Sequence, residues 1–254
     1  MLQFALLGSG SRGNATVVRS GGARVLVDCG FALRELQARA AGLDFDLASL
    51  DGVLVTHEHG DHIGGVARLA RAYGLTVYLT PGTASARSDW DGCRLEKISP
   101  HEPFRIGDLE VQPFPVPHDA REPCQFVLAQ AGRRLGILSD LGRVTPHIVR
   151  TLAACDALLL ECNHDTGMLA RGPYPESLKR RVGGDWGHLS NAQAADLLQQ
   201  LPRARLQFLA LTHLSEKNNT PALAREAACE ALQDDPAWCV CADQDQASAW
   251  REIG

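Results

Sequence analysis

Seven consecutive residues, Thr56-His57-Glu58-His59-Gly60-Asp61-His62, bring three imidazoles and two carboxylates into one short stretch. Neutral imidazole nitrogen and carboxylate oxygen both ligate zinc and similar divalent ions. His57 and His59 are two apart, so in an extended segment their rings point the same way. Gly60 lets the chain turn. Asp61 and His62 then stand at the start of a helix and face back toward the same space. One segment thus supplies ligands to two adjacent ions. It follows an apolar strand, 52–55, and precedes a helical pattern, which is the context such a motif needs. A surface histidine cluster is the plain alternative.

Three further residues of ligating type each follow an apolar run. His118 follows 111–116, Asp140 closes Leu-Gly-Ile-Leu-Ser-Asp, and His213 closes Leu-Ala-Leu-Thr-His. In open α/β architectures, sites gather at the carboxyl ends of strands. A lone His or Asp is commonly a cap or a surface group. Four groups placed alike point to one shared site.

The elements that must position them alternate between short apolar runs and longer helical patterns. The spacing predicts strands at 2–7, 16–19, 24–27, 53–55, 76–79, 109–116, 126–129, 135–138, 157–160, 208–211 and 238–242. Helices are expected at 33–41, 63–73, 144–153, 191–201 and 221–232. Gly74 reads as a helix C-cap, and Thr220-Pro221 as an N-cap with proline in the first turn. This pattern suggests sheets inside and helices outside. No linker or repeat interrupts it, so residues 1–254 read as a single domain. The stretch 163–187 is rich in Gly, Pro and charge. It reads as a loop too long for an ordinary connection, hence functional or mobile.

Composition narrows the class. The 254 residues carry a net charge of -5, against a broad basic surface for nucleic acid, though not against a local patch aided by bound metals. No segment approaches a transmembrane helix, and the start is a poor secretory signal. The eight cysteines are scattered without a Cys-x-x-Cys pair. Cys239 and Cys241 read as two side chains on one strand face. A reduced, cytoplasmic protein with no membrane attachment is expected. Oligomeric state is not legible.

The chain resembles the metallo-β-lactamase superfamily from end to end, and within it the YycJ/WalJ-type group. The residues that carry this are 9–14 (Ser-Gly-Ser-Arg-Gly-Asn), 28–30 (Asp-Cys-Gly), 56–62, 117–119 (Pro-His-Asp), Ser139-Asp140, 161–165 (Glu-Cys-Asn-His-Asp), 172–175 (Gly-Pro-Tyr-Pro) with Leu178-Lys179, 187–191 (Gly-His-Leu-Ser-Asn) and 212–219. The resemblance implies an α/β fold, the four-layer αββα sandwich. It implies two divalent metal ions, zinc first, with manganese or iron as alternatives. His57, His59 and His118 would hold one ion; Asp61, His62 and His213 the other; Asp140 would bridge them. It also implies a phosphodiesterase or nuclease with nucleic acid as substrate, specifically a 5′-to-3′ DNA exonuclease.

Such a pair of ions polarises a phosphoryl oxygen and converts a bridging water to hydroxide at neutral pH. Asp61 would orient that hydroxide or take its proton. His188, outside the ligand set, is expected to contact the phosphate or protonate the leaving oxygen; a structural histidine in a cap is the alternative. Ser190 or Asn191 caps the following helix, whose N-terminus attracts phosphate oxygens. Asn14, Ser11 and Ser190 are candidate substrate contacts, as is Lys179 in Lys179-Arg180-Arg181. A tight turn and a solvated charged face are the plain readings of the first two and the last. His164 and Asp165 would support the site from behind. Two other functions compete: hydrolysis of a small cyclic phosphodiester, thioester or lactam on the same residues, and a non-enzymatic metal-binding module.

Overall fold

Runs of β-branched and aliphatic residues become strands that bury both faces, and the amphipathic stretches become covering helices. The computed structural model describes all 254 residues, Met1–Gly254. They divide into two units: Met1–Pro115, Ala120–Arg133 and Asp243–Gly254 in the first, Val116–Asp119 and Arg134–Ala242 in the second.

In the first unit, β1 (Leu2–Gly8), β2 (Ala15–Arg19) and β3 (Arg24–Val27) form an antiparallel meander. Beyond β3 the sheet turns parallel through β4 (Gly52–Leu54), β5 (Thr76–Leu79) and β6 (Arg94–Lys97). The C-terminal strand Arg251–Ile253 pairs with β1 on the opposite side. The parallel register sets Leu26 beside Val53 and Val53 beside Val77. All three are fully buried, in one cluster with Leu36 of α1 (Leu33–Ala41). Each such side chain contributes roughly 1.5–3 kcal/mol by leaving water. Three antiparallel strands, β7 (Phe104–Ile106), β8 (Leu109–Pro115) and β9 (Cys124–Gln130), complete this unit.

The helix expected at 63–73 is two helices, α2 (Gly60–Ile63) and α3 (Val66–Tyr73). Between them the backbone turns aside to the loop after β3. Cys29 donates to the His62 carbonyl at 2.7 Å, and Gly65 donates to the Cys29 carbonyl at 2.8 Å. Helix α3 ends at Gly74 in the left-handed conformation, as its cap position predicts. A short helix, α4 (Pro81–Ser85), follows β5.

In the second unit, β10 (Arg133–Leu138), β11 (Ala157–Glu161), β12 (Phe208–Thr212) and β13 (Cys239–Cys241) run parallel. β11 and β12 are buried at every residue, as expected of parallel strands covered on both faces. Helices α5 (Pro146–Leu152), α6 (Thr166–Arg171), α7 (Glu176–Val182), α8 (Asn191–Gln200) and α9 (Pro221–Leu232) accompany them. Pro221 opens α9, and the Thr220 hydroxyl accepts from Leu223 N at 3.2 Å. The reading of 163–187 as one long loop is overturned, because α6 and α7 occupy most of it. Both are shorter than two turns and are flanked by Gly and Pro, so they leave no helical period to detect.

Candidate metal centre

The first unit contributes His57, His59, Asp61 and His62 from one loop. His57 and His62 are buried, with ring centroids 4.3 Å apart, and those of His57 and His59 are 4.6 Å apart. The loop is held from behind by Asp28, which is buried at the end of β3 with φ of 60°. Its carboxylate accepts from Thr56 N and Thr56 Oγ1, both at 2.8 Å, and lies 2.7 Å from His62 Nδ1. The Thr56 hydroxyl proton is thereby committed to Asp28. Its oxygen, 3.0 Å from His57 Nδ1, accepts from that ring. Both imidazoles thus carry their proton on Nδ1 and present Nε2 as the metal-ligating atom.

Gly30 is required at this point. A Cβ there would stand 1.9 Å from the Asp61 carbonyl oxygen, which is backbone and cannot swing away. Asn14 closes the arrangement. Its Oδ1 accepts from Gly10 N at 2.9 Å, and its Nδ2 lies 3.3 Å from Asp61 Oδ2 and 3.1 Å from His62 Nε2. Asn14 therefore orients two of the expected ligands and is itself buried. Asp28→Asn is expected to lower metal affinity about 10- to 100-fold, the usual cost of losing such a supporting carboxylate. Competition with a chromogenic chelator measures this, and unchanged affinity would remove Asp28 from the role.

The second unit contributes His118, Asp140, Glu161 and His213, each just beyond or at the end of a strand, and His188 from the turn between α7 and α8. Ligand atoms of Asp140, Glu161, His188 and His213 all lie within 4.8 Å of one another. His188 Nδ1 is 2.8 Å from Glu161 Oε1 and 3.1 Å from Asp140 Oδ1. His213 Nδ1 is 3.2 Å from the same Glu161 oxygen. The other Glu161 oxygen accepts from Leu141 N at 3.1 Å and Leu189 N at 3.0 Å. The His118 ring lies 5.4 Å from that of His188, and its Nδ1 donates to the Gly187 carbonyl at 3.0 Å. Asp140 and His213 have φ of 50° and 53°. A left-handed conformation at a non-glycine residue is costly and collects at sites that need a sharp re-aiming of the chain.

Burial raises the Glu161 carboxyl, but the charge of His188 and hydrogen bonds from both histidines overcome this and bring it to about 2. Burial likewise depresses His188, and the charges and hydrogen bonds of Glu161 and Asp140 raise it well above its ordinary value. At His164 burial outweighs the charges of Glu161 and Asp165 and, with the charge of His188, pushes it down to about 4.

Of the expected substrate contacts, Ser190 is the N-cap of α8. Its hydroxyl accepts from Gln193 N at 3.2 Å in a full capping box. The Lys179 ammonium donates to the Ala170 carbonyl at 2.7 Å and lies 3.1 Å from Glu176. Lys179 and Ser190 both line a cavity of about 510 Å³ together with His164, Leu169 and Arg180. Glu161 carried no assigned role in the sequence. It closes an apolar strand, and nothing in such a run marks a carboxylate as fully buried with four partners.

Nitrogen and oxygen donors with oriented tautomers and buried supporting carboxylates fit a divalent metal centre. The β-lactamase superfamily domain matches residues 23–213. An exodeoxyribonuclease YycJ of Bacillus anthracis is 34% identical over 241 residues, 92% of this chain and 90% of that one. An exodeoxyribonuclease WalJ of Streptococcus pneumoniae is 32% identical over 87% of this chain and 85% of that one. Among solved structures, the metallo-β-lactamase fold protein YhfI of Bacillus subtilis superposes with a TM-score of 0.75 at 17% identity, over 97% of this chain and 98% of that one. The two mixed sheets flanked by helices are that fold. On its sequence match and its architecture alike, this chain belongs to the metallo-β-lactamase-fold superfamily and, within it, is YycJ/WalJ-like.

Proposed function

We propose that the chain acts as one hydrolase domain, a 5′-to-3′ exonuclease on DNA, with two zinc ions as its first-choice metals and manganese or iron as alternatives. The enzyme is a metal-dependent phosphodiesterase. The observation that carries the site is the cluster of Asp140, Glu161, His188 and His213, whose ligand atoms lie within 4.8 Å of one another. In the proposed ligand sets, His57, His59 and His118 hold one ion. Asp61, His62 and His213 hold the other, and Asp140 is shared. When bound, the ions supply Lewis acidity toward the phosphoryl oxygen and toward water.

The protein's own groups do the rest. Asp61 accepts the proton of the attacking water, held for this by Asn14 Nδ2 at 3.3 Å. His188 is pinned through Nδ1 by Glu161 and Asp140, which leaves Nε2 to protonate the departing oxygen. As the water oxygen bonds to phosphorus, the bond to the leaving oxygen breaks and that oxygen takes the His188 proton. Cytoplasmic residence is part of the same reading, and eight free cysteines agree with it. No helix is long and apolar enough to cross a membrane.

The test is incubation of metal-loaded protein with 5′- and 3′-labelled DNA and RNA, single- and double-stranded. Nucleotide release from the 5′ end of DNA is expected, and chelation abolishes it. His188→Ala is expected to slow turnover about 10²- to 10⁴-fold with metal content unchanged, the usual contribution of a general acid. Near-normal turnover would return His188 to a structural role. A second reading is a small phosphodiester substrate on the same residues. It is preferred if no polynucleotide is cut while bis(p-nitrophenyl) phosphate is.

A further inference from the structure

In the first unit, residues 121–124, on the way into β9, are tied to the metal-ligand loop and to α4. Arg121 N donates to Glu58 Oε1 at 2.7 Å, and Glu58 stands between the expected ligands His57 and His59. The Glu122 carbonyl accepts from Thr80 Oγ1 at 2.8 Å, and Glu122 Oε2 accepts from Gly82 N at 2.6 Å. Cys124 N donates to the Thr56 carbonyl at 3.0 Å. The second Glu58 oxygen is buried with no hydrogen-bond partner. A buried carboxylate that is only half satisfied costs stability. What it secures is the place of the Arg121 backbone beside two ligands.

The Arg121 side chain is exposed and belongs to no salt bridge. Two other arginines of this unit stand near the ligand loop or Asn14, and both are already committed. Arg87, which reaches the Ile63 carbonyl, pairs with Asp89 at 2.6 Å. Arg12 pairs with Asp245 at 2.8 Å. A guanidinium carries its donors in a planar fork that matches phosphate oxygens. In a polynucleotide the phosphate under attack has a like neighbour one link away, and a small diester has none. A free guanidinium on a fixed root beside metal ligands is placed for that neighbour.

We propose that Arg121, rooted by Glu58, grips the backbone phosphate next to the scissile one and so favours a polynucleotide over a small diester. This rests on the phosphodiesterase reading and names the residue that selects its substrate class. The contact reads no base and serves single and double strands alike. It supplies local positive charge to a chain whose net charge is -5.

The experiment compares kcat/KM of metal-loaded protein on end-labelled DNA with that on bis(p-nitrophenyl) phosphate, which has no second phosphate. In Arg121→Ala the ratio should fall by about tenfold, and the slope of log kcat/KM on DNA against log salt should shrink by about one. Arg121→Lys should restore the slope and part of the ratio, because it keeps the charge and loses the fork. Arg150→Ala removes an equal charge from α5, which leads back to the start of β11, away from the strand ends that carry the ligands. It should move neither quantity. A neutral methylphosphonate is then placed at each linkage near the cleaved end in turn. At a linkage beside the scissile one, wild type should weaken to the level of Arg121→Ala, and the variant should lose little more. Glu58→Ala should lower the ratio in the same direction, and adding Arg121→Ala to it should cost little further; fully additive losses would remove Glu58 from the positioning role. If Arg121→Ala keeps the wild-type ratio and salt slope, or if Arg150→Ala loses as much, the grip is overturned while the nuclease stands. If wild type cuts no polynucleotide, both readings fall together.

Discussion

Asp140→Ala is expected to reduce phosphodiester hydrolysis by on the order of 10³-fold or more and to lower the bound metal below two ions per chain. The size follows from what is lost. In the proposed ligand sets Asp140 would serve both ions, and the transition-state stabilisation that such a centre would supply amounts to several kcal/mol. Asp140 also has structural partners: its Oδ1 lies 3.1 Å from His188 Nδ1 and 3.5 Å from His213 Nδ1. Its φ of 50° goes with that placement, a backbone conformation that collects at functional sites. Asp140→Asn keeps the shape but removes the charge and turns one accepting oxygen into a donor, and should lose metal in the same direction. Elemental analysis of purified protein and turnover of bis(p-nitrophenyl) phosphate measure the two quantities. Two ions retained with turnover within tenfold of wild type would exclude Asp140 from the centre.

Glu161→Leu should be the most destabilising single change in the second unit, by about 3–5 kcal/mol in urea denaturation of the metal-free protein. The residue is fully buried. Its removal strands the Leu141 and Leu189 amides and leaves the His188 and His213 rings facing an apolar group. Losing one partner of a buried network costs the desolvation of everything left behind, which exceeds the net worth of the bonds themselves. Glu161→Gln should lie between Leu and wild type, because an amide accepts at one oxygen only. A cost below about 1 kcal/mol for both would mean that the cluster repacks or admits water, and Glu161 would not be its anchor.

The ligand-bearing loop was legible because its ingredients are local. His57, His59, Asp61 and His62 lie within six residues, between an apolar strand and a helix, and the turn at Gly60 needs no distant partner. Long elements with clear period were equally legible: α1 and α9 run over Leu33–Ala41 and Pro221–Leu232, as the spacing predicts. Three strands escaped notice. β6 reads Arg-Leu-Glu-Lys, and β7 and the C-terminal strand have three residues each. Their strand character comes from the neighbour they pair with, and three residues contain no period. The same limit hid α6 and α7 within 163–187.

Sequence by itself determined the chemistry available: which residues can ligate, at which strand ends they stand, and which superfamily their spacing matches. Tertiary structure alone decided what each polar group is committed to. Asn14 and Ser190, both expected to meet substrate, are turned to Asp61 and to a helix cap. Asp28 and Glu161 are buried carboxylates that set the proton positions of the site's histidines. The reason is physical. A ligand's identity is a property of one side chain. Its tautomer, orientation and burial are set largely by partners 27 to 69 positions away, whose distance in space no local pattern encodes.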